Sequence, residues 1–224
     1  MRIVLRIGGS VVASPVDTEL MGKYANLAVK LSEQSHELVV VVGGGSLARE
    51  FIAIAKNLGL NMQAQDEIAI SVSRLFAQLL AKKIDAFGCR RVSLTLEDAV
   101  ECLNEGRIVV MGGLKPGITT DAVAALVAER VKADLVVKGT DQDGVYSKDP
   151  RKHADAVKLD HLSFRELGEV FSESKHRAGI HQVIDPEAVK ILSREHMKLV
   201  VVNGFKPENI LAVLKGESVG TTIG

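Results

Sequence analysis

At 224 residues the chain is long for an average domain but within reach of one α/β domain, and 46% hydrophobic residues are enough to bury a sizeable core. Lys plus Arg and Asp plus Glu number 28 each, and aromatic residues make up only 4%; a neutral chain with so few rings lacks the electrostatic and stacking basis of general nucleic-acid binding. Cys89 and Cys102 form no C-x-x-C pair and suggest no secreted disulfide framework, and no apolar run has the length of a membrane span or signal peptide, so a soluble cytoplasmic protein is expected.

Ile3 to Ile7 is an apolar run broken by Arg6, and it ends in Gly8, Gly9 and Ser10. After a loop at Ser14-Pro15, Asp17 is placed to cap a helix reaching about Gln34, with Leu20, Tyr24, Leu27, Ala28 and Leu31 at helical spacing. Leu38 to Val42 is five apolar residues, four of them valine. Such a run is too short for a free-standing buried helix and suits a strand covered on both faces. Gly43, Gly44 and Gly45 follow, then Ser46 as the expected N-cap of a helix ending near Gly59, where a C′ glycine belongs. A second helix is expected over Gln63 to Ile84, with Ile68, Val72, Leu75, Phe76 and Leu79 on one face and Asp66 in the first turn.

Thr95 opens a short helix to Asn104, with Asp98 at capping-box spacing. Ile108 to Met111 is a third strand ended by Gly112 and Gly113. The segment G-G-L-K-P-G-I-T-T-D-A-V then leads into a helix from about Asp121 to Lys132, capped by Thr120 or Asp121. Asp134 to Lys138 is another buried strand. The turn-rich loop G-T-D-Q-D-G-V-Y-S-K-D-P after it is too short for an EF-hand and reads on its own as a polar hairpin turning at Asp143-Gly144. From His153 to His181 the chain is polar and less periodic, with a short helix near Ser163 to Val170, and suits a lid over a nucleotide. Asp185-Pro186-Glu187 starts a helix with cap, N1 proline and first-turn acid. It runs to about Glu195, followed by a strand at Leu199 to Val202, a helix at Pro207 to Lys215 and a closing strand at Gly220 to Ile223. About eight strands alternating with helices make this an α/β chain. The expected fold is a three-layer α/β/α sandwich on a central, mainly parallel sheet. No linker or composition break divides it, so residues 1–224 read as one domain, with an acceptor-side half to about Lys132 and a nucleotide-side half after it.

Strands of a parallel sheet share one carboxyl edge, so glycine turns after three of them would line one crevice. A glycine turn lets backbone N–H groups approach an anion closely; a single one reads equally as tight packing, but three on one edge favour a binding site. Gly117, Thr119 and Thr120 at a positive helix end, with Lys115 beside them, offer a second anion grip, against the plainer reading of capping. There is no G-x-x-x-x-G-K-[ST], no G-x-G-x-x-G with a ribose-binding acid and no G-x-S-x-G. The histidines are scattered, and His176 and His181 do not have zinc-site spacing, so no metal held by the protein alone is expected. Anion-binding turns along one edge suit phosphoryl transfer, which needs donor and acceptor in line and the moving charge neutralised by amides, a cation and Mg²⁺.

I-G-G-S at Ile7 to Ser10, V-V-G-G-G-S-L-A-R at Val41 to Arg49, M-G-G-L-K-P-G-I-T-T-D-A-V-A-A at Met111 to Ala125 and D-G-V-Y-S-K-D-P at Asp143 to Pro150, with V-I-D-P at Val183 to Pro186, together resemble the amino acid kinase superfamily. Within it they look most like the archaeal-type uridylate (UMP) kinases, over essentially the whole chain. The resemblance implies transfer of a phosphoryl group from ATP to UMP with Mg²⁺, on a homohexamer, in pyrimidine nucleotide synthesis. By position it implies that Gly9, Ser10, Gly45 and Arg49 contact ATP phosphates and that Thr140, Tyr146 and Asp149 form the ATP nucleoside pocket. Gly44 would approach the UMP phosphate, Asp66 the ribose, and Leu114, Lys115, Pro116, Gly117, Ile118, Thr119 and Thr120 the uracil and phosphate. Arg6 stands where the superfamily often has lysine, and Gln182 stands where bacterial relatives have another. Charge neutralisation would then fall to Arg6, Mg²⁺ and amides, with Asp121 orienting cations. Asp141 adds a carboxylate near ATP where relatives commonly have asparagine. The rivals are a sister kinase for another small acceptor, such as isopentenyl phosphate, carbamate or an acyl amino acid, and a nonenzymatic nucleotide binder.

Overall fold

A computed structural model describes residues 1–167 and 183–224. Its frame is a seven-stranded sheet in the order β3-β2-β1-β4-β8-β9-β7. β1 (Arg2–Ile7) lies between β2 (Glu37–Val42) and β4 (Leu135–Thr140); β3 (Val109–Met111) extends the β2 side and β8 (Leu199–Asn203) the β4 side, all parallel. β9 (Thr221–Ile223) runs antiparallel to β8 and parallel to the short β7 (His161–Leu162). The loop expected to be a hairpin instead sends β5 (Val145–Tyr146) to pair with β6 (Lys158–Leu159) in a separate two-stranded ribbon. Beyond β3, residues 88–93 form no named strand but bridge its outer side at Gly88–Ile108 and Ser93–Met111.

The strands carry apolar side chains on both faces, as burial in a parallel sheet requires. Ile3, Leu5 and Ile7 of β1 face one helical layer, with Val40, Val42 and Val137 beside them. That layer contains α2 (Thr18–Glu33), α3 (Gly45–Asn57), α4 (Met62–Ile84) and α8 (Glu208–Leu214). Val4, Val39, Val41 and Val136 face the other layer, built from α5 (Leu96–Asn104), α6 (Thr120–Val131) and α7 (Pro186–Arg194). Two cores back to back make the α/β/α sandwich. The period-2 alternation also explains why Arg6 can interrupt an apolar strand: it falls on the α6 face at the strand's last turn, opposite Lys138 of β4.

Several caps follow the sequence. Asp17 Oδ1 accepts from Leu20 N at 2.8 Å, Thr95 and Asp98 form the full capping box, and Asp185 caps α7 ahead of Pro186. Gly59 has φ +77°, the left-handed value a C′ glycine is needed for. Others do not. Ser46 does not cap α3; the cap is Gly44 with no side-chain bond, and the Ser46 hydroxyl donates to Ala13 O at 3.1 Å, tying the second glycine turn to the first. Thr119, not Thr120 or Asp121, caps α6, accepting from Ala122 N at 3.2 Å. Gly9 and Ser10 start a one-turn helix, α1 (Gly9–Val12), rather than a loop. On α4, Val72, Phe76 and Leu80 are buried while Leu75 and Leu79 are half exposed, so the inner face is rotated from the expected one. Cys89 and Cys102, for which the spacing suggested no pairing, are joined in a disulfide that fixes the 88–93 edge to α5, with their Cα atoms 6.0 Å apart. Of the helix expected at Ser163 to Val170, a helical turn over 164–167 is described; its remainder, His176, His181 and Gln182 lie outside the described residues. No helix among the described residues is long and apolar enough to cross a membrane.

Candidate active site

At the carboxyl edge of the sheet, where β1, β2 and β4 end, a cavity of about 640 Å³ opens. Gly9 and Ser10 after β1, Gly43 to Gly45 after β2, and Thr140 with Asp141 after β4 line it, as do Thr120 and Asp121 from the start of α6. The first two glycine turns also lean on each other, since a Cβ at Gly9 would collide with the backbone of Gly45. Glycine therefore serves packing and access together here. Gly45 itself has φ +61° and leaves no space for a side chain beside Gly9 O, Ala13 O and Ser14 Oγ. The N-terminal ends of α3 and α6 meet this cavity, a place that favours anionic oxygens.

The floor is a buried cluster of three charges. Arg6 Nε lies 2.6 Å from Asp121 Oδ1, and Lys138 Nζ donates to Asp121 Oδ2. The Arg6 N–H does not point along its contact line, so Nε and Oδ1 are close as charges yet lack hydrogen-bond partners. Arg6 Nη2 donates to Thr120 Oγ1 at 2.9 Å. Burial pushes the Asp121 carboxyl up, but Arg6 and Lys138 together outweigh it and hold the group below the ordinary carboxylate value. For Lys138, burial lowers its pKa; the pull of Asp121 opposes this, Arg6 reinforces it, and the result lies below the ordinary lysine value. Two cations against one carboxylate leave a formal excess of one positive charge in a buried place. Asp185 also acts on Lys138 as a negative charge, and an anion in the cavity would offset the excess within the triad.

Lys138 is the residue the sequence reading missed. It ends the expected strand Asp134 to Lys138, and the strand's alternation puts it on the same face as Arg6, one strand over. Gly43, Gln142, Arg151 and Val183 also line the cavity. Arg49 is exposed at the mouth and has no ion-pair or hydrogen-bond partner among the described residues. Asp141 faces Arg151 Nη1 at 3.7 Å, so its extra carboxylate has a cation beside it.

Arg6, Gly9, Ser10, Gly44, Gly45, Arg49, Thr120, Asp121 and Thr140 are thus gathered on one cavity. The others expected at the site lie around it. Asp66, near the start of α4, accepts from Gly117 N at 2.8 Å through Oδ2. That bond joins the expected ribose carboxylate to the Leu114 to Thr120 segment. Within that segment Lys115 is exposed, Pro116 is part-exposed, and Leu114 and Ile118 pack on the α6-side core. The Thr119 hydroxyl is committed, donating to Asp185 Oδ2 at 2.6 Å while it caps α6. Thr119 therefore ties the start of α6 to the start of α7 as well as being a candidate contact. Tyr146 sits on the β5–β6 ribbon, and Asp149 is buried with its Oδ1 accepting from Arg151 N at 3.1 Å. Neither lines the cavity itself. No cluster of three or more His, Cys, Asp or Glu able to hold a metal occurs among the described residues.

Comparison with known proteins gives one answer by three routes. The model of the amino acid kinase family matches residues 1–203. Uridylate kinases of Methanocaldococcus jannaschii and Archaeoglobus fulgidus are each 44% identical; the alignments cover the whole of this chain and 99% and 100% of theirs. The crystal structure of the Archaeoglobus fulgidus uridylate kinase superposes with a TM-score of 0.89 at 42% identity over the full length of both chains. A UMP kinase from Bacillus anthracis, at 20% identity and TM-score 0.83, shares the fold.

Proposed function

The chain belongs to the amino acid kinase family, and from that premise we propose that it is an ATP:UMP phosphotransferase, moving the γ-phosphoryl group of ATP to UMP to give ADP and UDP. The observation that carries this reading is the buried Arg6–Asp121–Lys138 cluster, one positive charge in excess, at the floor of a cavity walled by glycine turns and helix N-termini. Phosphoryl transfer asks a protein for alignment and for positive charge around the moving group, and little covalent help. Arg6 and Lys138 supply fixed charge, and Asp121 between them holds both heads in place. In this reading Lys138, from β4, supplies the second cation.

In this reading Gly9, Ser10, Gly45 and Arg49 hold the ATP phosphates, and Thr140, Tyr146 and Asp149 frame its nucleoside. Gly44 approaches the UMP phosphate, Asp66 accepts from the ribose through the oxygen not taken by Gly117, and Leu114 to Thr120 form the wall for uracil and phosphate. Mg²⁺ fits as an ion carried by the ATP phosphates. Asp121 is already ion-paired on both oxygens, to Arg6 and Lys138. Residues 1–224 act as one catalytic domain of two lobes, with β3, β2 and β1 in the acceptor half and β4, β8, β9 and β7 in the other. The enzyme works in the cytoplasm as a homohexamer. The exposed apolar faces of α3 (Phe51, Ile54, Leu58) and α4 (Met62, Leu75, Leu79) are suited to bury against a second copy.

A coupled assay of ADP release over UMP, CMP, dTMP and isopentenyl phosphate, with and without Mg²⁺, tests the proposal. Magnesium-dependent turnover with UMP preferred is expected. Turnover of isopentenyl phosphate in preference to UMP, or nucleotide binding without turnover, would overturn it.

A further inference from the structure

The backbone that leaves β3 crosses the middle of α4 with no side chain between them. A Cβ on Gly112 would stand 2.7 Å from Arg74 N, and one on Gly113 would stand 2.9 Å from Ile70 Cγ1. Beyond that crossing, residues 113–117 make no backbone–backbone hydrogen bond to the rest of the described structure. Their polar groups are taken up by side chains of α4. Gly113 N–H donates to Ser73 Oγ at 2.8 Å, and Gly117 N–H donates to Asp66 Oδ2 at 2.8 Å. Arg74 takes the carbonyls between: its Nε donates to Gly113 O and its Nη2 to Leu114 O, each at 2.9 Å.

Arg74 is part-buried, and among the described residues it has no carboxylate partner. Its charge is satisfied by two consecutive carbonyls, a geometry that the planar guanidinium fork matches and a lysine head does not. Ser73 is itself locked, its hydroxyl donating to Ile70 O at 2.8 Å. Arg74 is therefore the one contact that sets the peptide planes on both sides of Leu114, where the segment turns away from the sheet. The same stretch of α4 backs the second glycine turn, since a Cβ on Gly44 would lie 3.5 Å from Ser73 N. One helix thus gauges the spacing of both walls on the acceptor side.

We propose that Arg74 is a positioning residue for the acceptor nucleotide: by holding the carbonyls of Gly113 and Leu114 it fixes the 113–117 segment in register with Gly44 and Asp66, and so sets affinity for UMP without touching UMP. The inference rests on the reading that this segment holds the acceptor.

The test is steady-state kinetics of Arg74→Met, Arg74→Lys and Arg74→Ala, with amide hydrogen exchange of the free proteins. Arg74→Met removes both charge-assisted hydrogen bonds to the segment and should raise KM for UMP by about tenfold or more, with KM for ATP nearly unchanged. Arg74→Lys, reaching one carbonyl, should fall between. Millimolar guanidinium should restore the KM of Arg74→Ala where the same concentration of sodium chloride does not. In Arg74→Met the hydrogen-bonded amides of Gly113 and Gly117 should exchange faster while those of β1 and β4 do not change. Equal rises in KM for both nucleotides, an unchanged KM for UMP, or no rescue by guanidinium would overturn the role. A wild-type protein that leaves UMP unphosphorylated would sink the kinase reading instead, and the exchange measurement would still decide whether Arg74 holds the segment.

Discussion

Asp121 carries the most consequence for a single side chain, because its two oxygens separate two buried cations. Asp121→Asn keeps the shape and removes the charge, leaving Arg6 and Lys138 facing each other; breaking a buried pair in this way costs about 3–5 kcal/mol. The substitution should lower the midpoint of denaturant unfolding and abolish turnover, and an unfolding curve run beside the assay checks both. The pH dependence follows from the same triad. The Asp121 carboxyl is held below its ordinary value, so its stabilisation is complete above the unfolded carboxylate pKa and is lost as pH falls through the lower folded value. Lys138 is shifted down, so it loses its proton at lower pH than a free lysine. The alkaline limb of kcat should begin below the free-lysine value of about 10.4, and Lys138→Arg should push it higher while retaining activity. A limb unchanged by Lys138→Arg would remove this lysine from the reaction. At the other nucleotide, Asp66→Asn should raise KM for UMP about tenfold, in keeping with loss of a charged hydrogen bond, and leave KM for ATP alone. Gly117 N–H can still donate to the asparagine oxygen, so the wall itself should survive. Equal damage to both substrates would count against the assignment.

At the scale of elements, caps and turns were legible where one residue satisfies a local need. Asp17, Thr95 with Asp98, Asp185-Pro186 and Gly59 act within four residues of themselves. Ser46 was not legible, because its hydroxyl is drawn away to Ala13 O on a turn more than thirty positions earlier. Nor was the face of α4: Leu75 and Leu79 fit a helical period as well as Val72, Phe76 and Leu80 do, and only the packing partner decides which set turns inward. The disulfide belongs here too. Cys89 and Cys102 are 13 positions apart on a bridging edge and a helix, and no local rule brings them together. Closing a loop of about that size stabilises by roughly 3 kcal/mol in the chain-entropy account. Reduction, or Cys102→Ser, should therefore lower Tm by about 6–12 °C for a chain of this size. Thiol alkylation with and without reductant, read by mass, would report whether the bond is present. A Tm insensitive to both would show that the 88–93 edge is held by its β-bridges alone.

For the whole molecule, the sheet order puts β1 and β4 side by side at the centre, although residues 2–7 and 135–140 are far apart in the chain. The site is a product of that adjacency, because Arg6 and Lys138 become neighbours only when the two strands pair. The outer faces of α3 and α4 keep large apolar side chains in water, with Leu58 72% and Met62 81% exposed. A self-associating chain would cover them. Leu58→Glu with Met62→Glu should reduce the mass seen by light scattering from a multimer toward one chain, and a wild type that runs as a monomer would end the hexamer proposal.

The sequence by itself determined the alternation of strands and helices and the glycines that end β1, β2 and β3, because strand burial, helix capping and left-handed turns are dictated by residues close in the chain. Of those turns the first two line the cavity, and the third packs on α4. Only the tertiary structure decided which side chains converge. Lys138 beside Asp121, Arg74 on the carbonyls of Gly113 and Leu114, Thr119 on Asp185 and Cys89 on Cys102 each depend on which strands pair and which helix crosses which loop. Those choices are made by the burial of whole faces, a sum over many residues that no short stretch of chain contains.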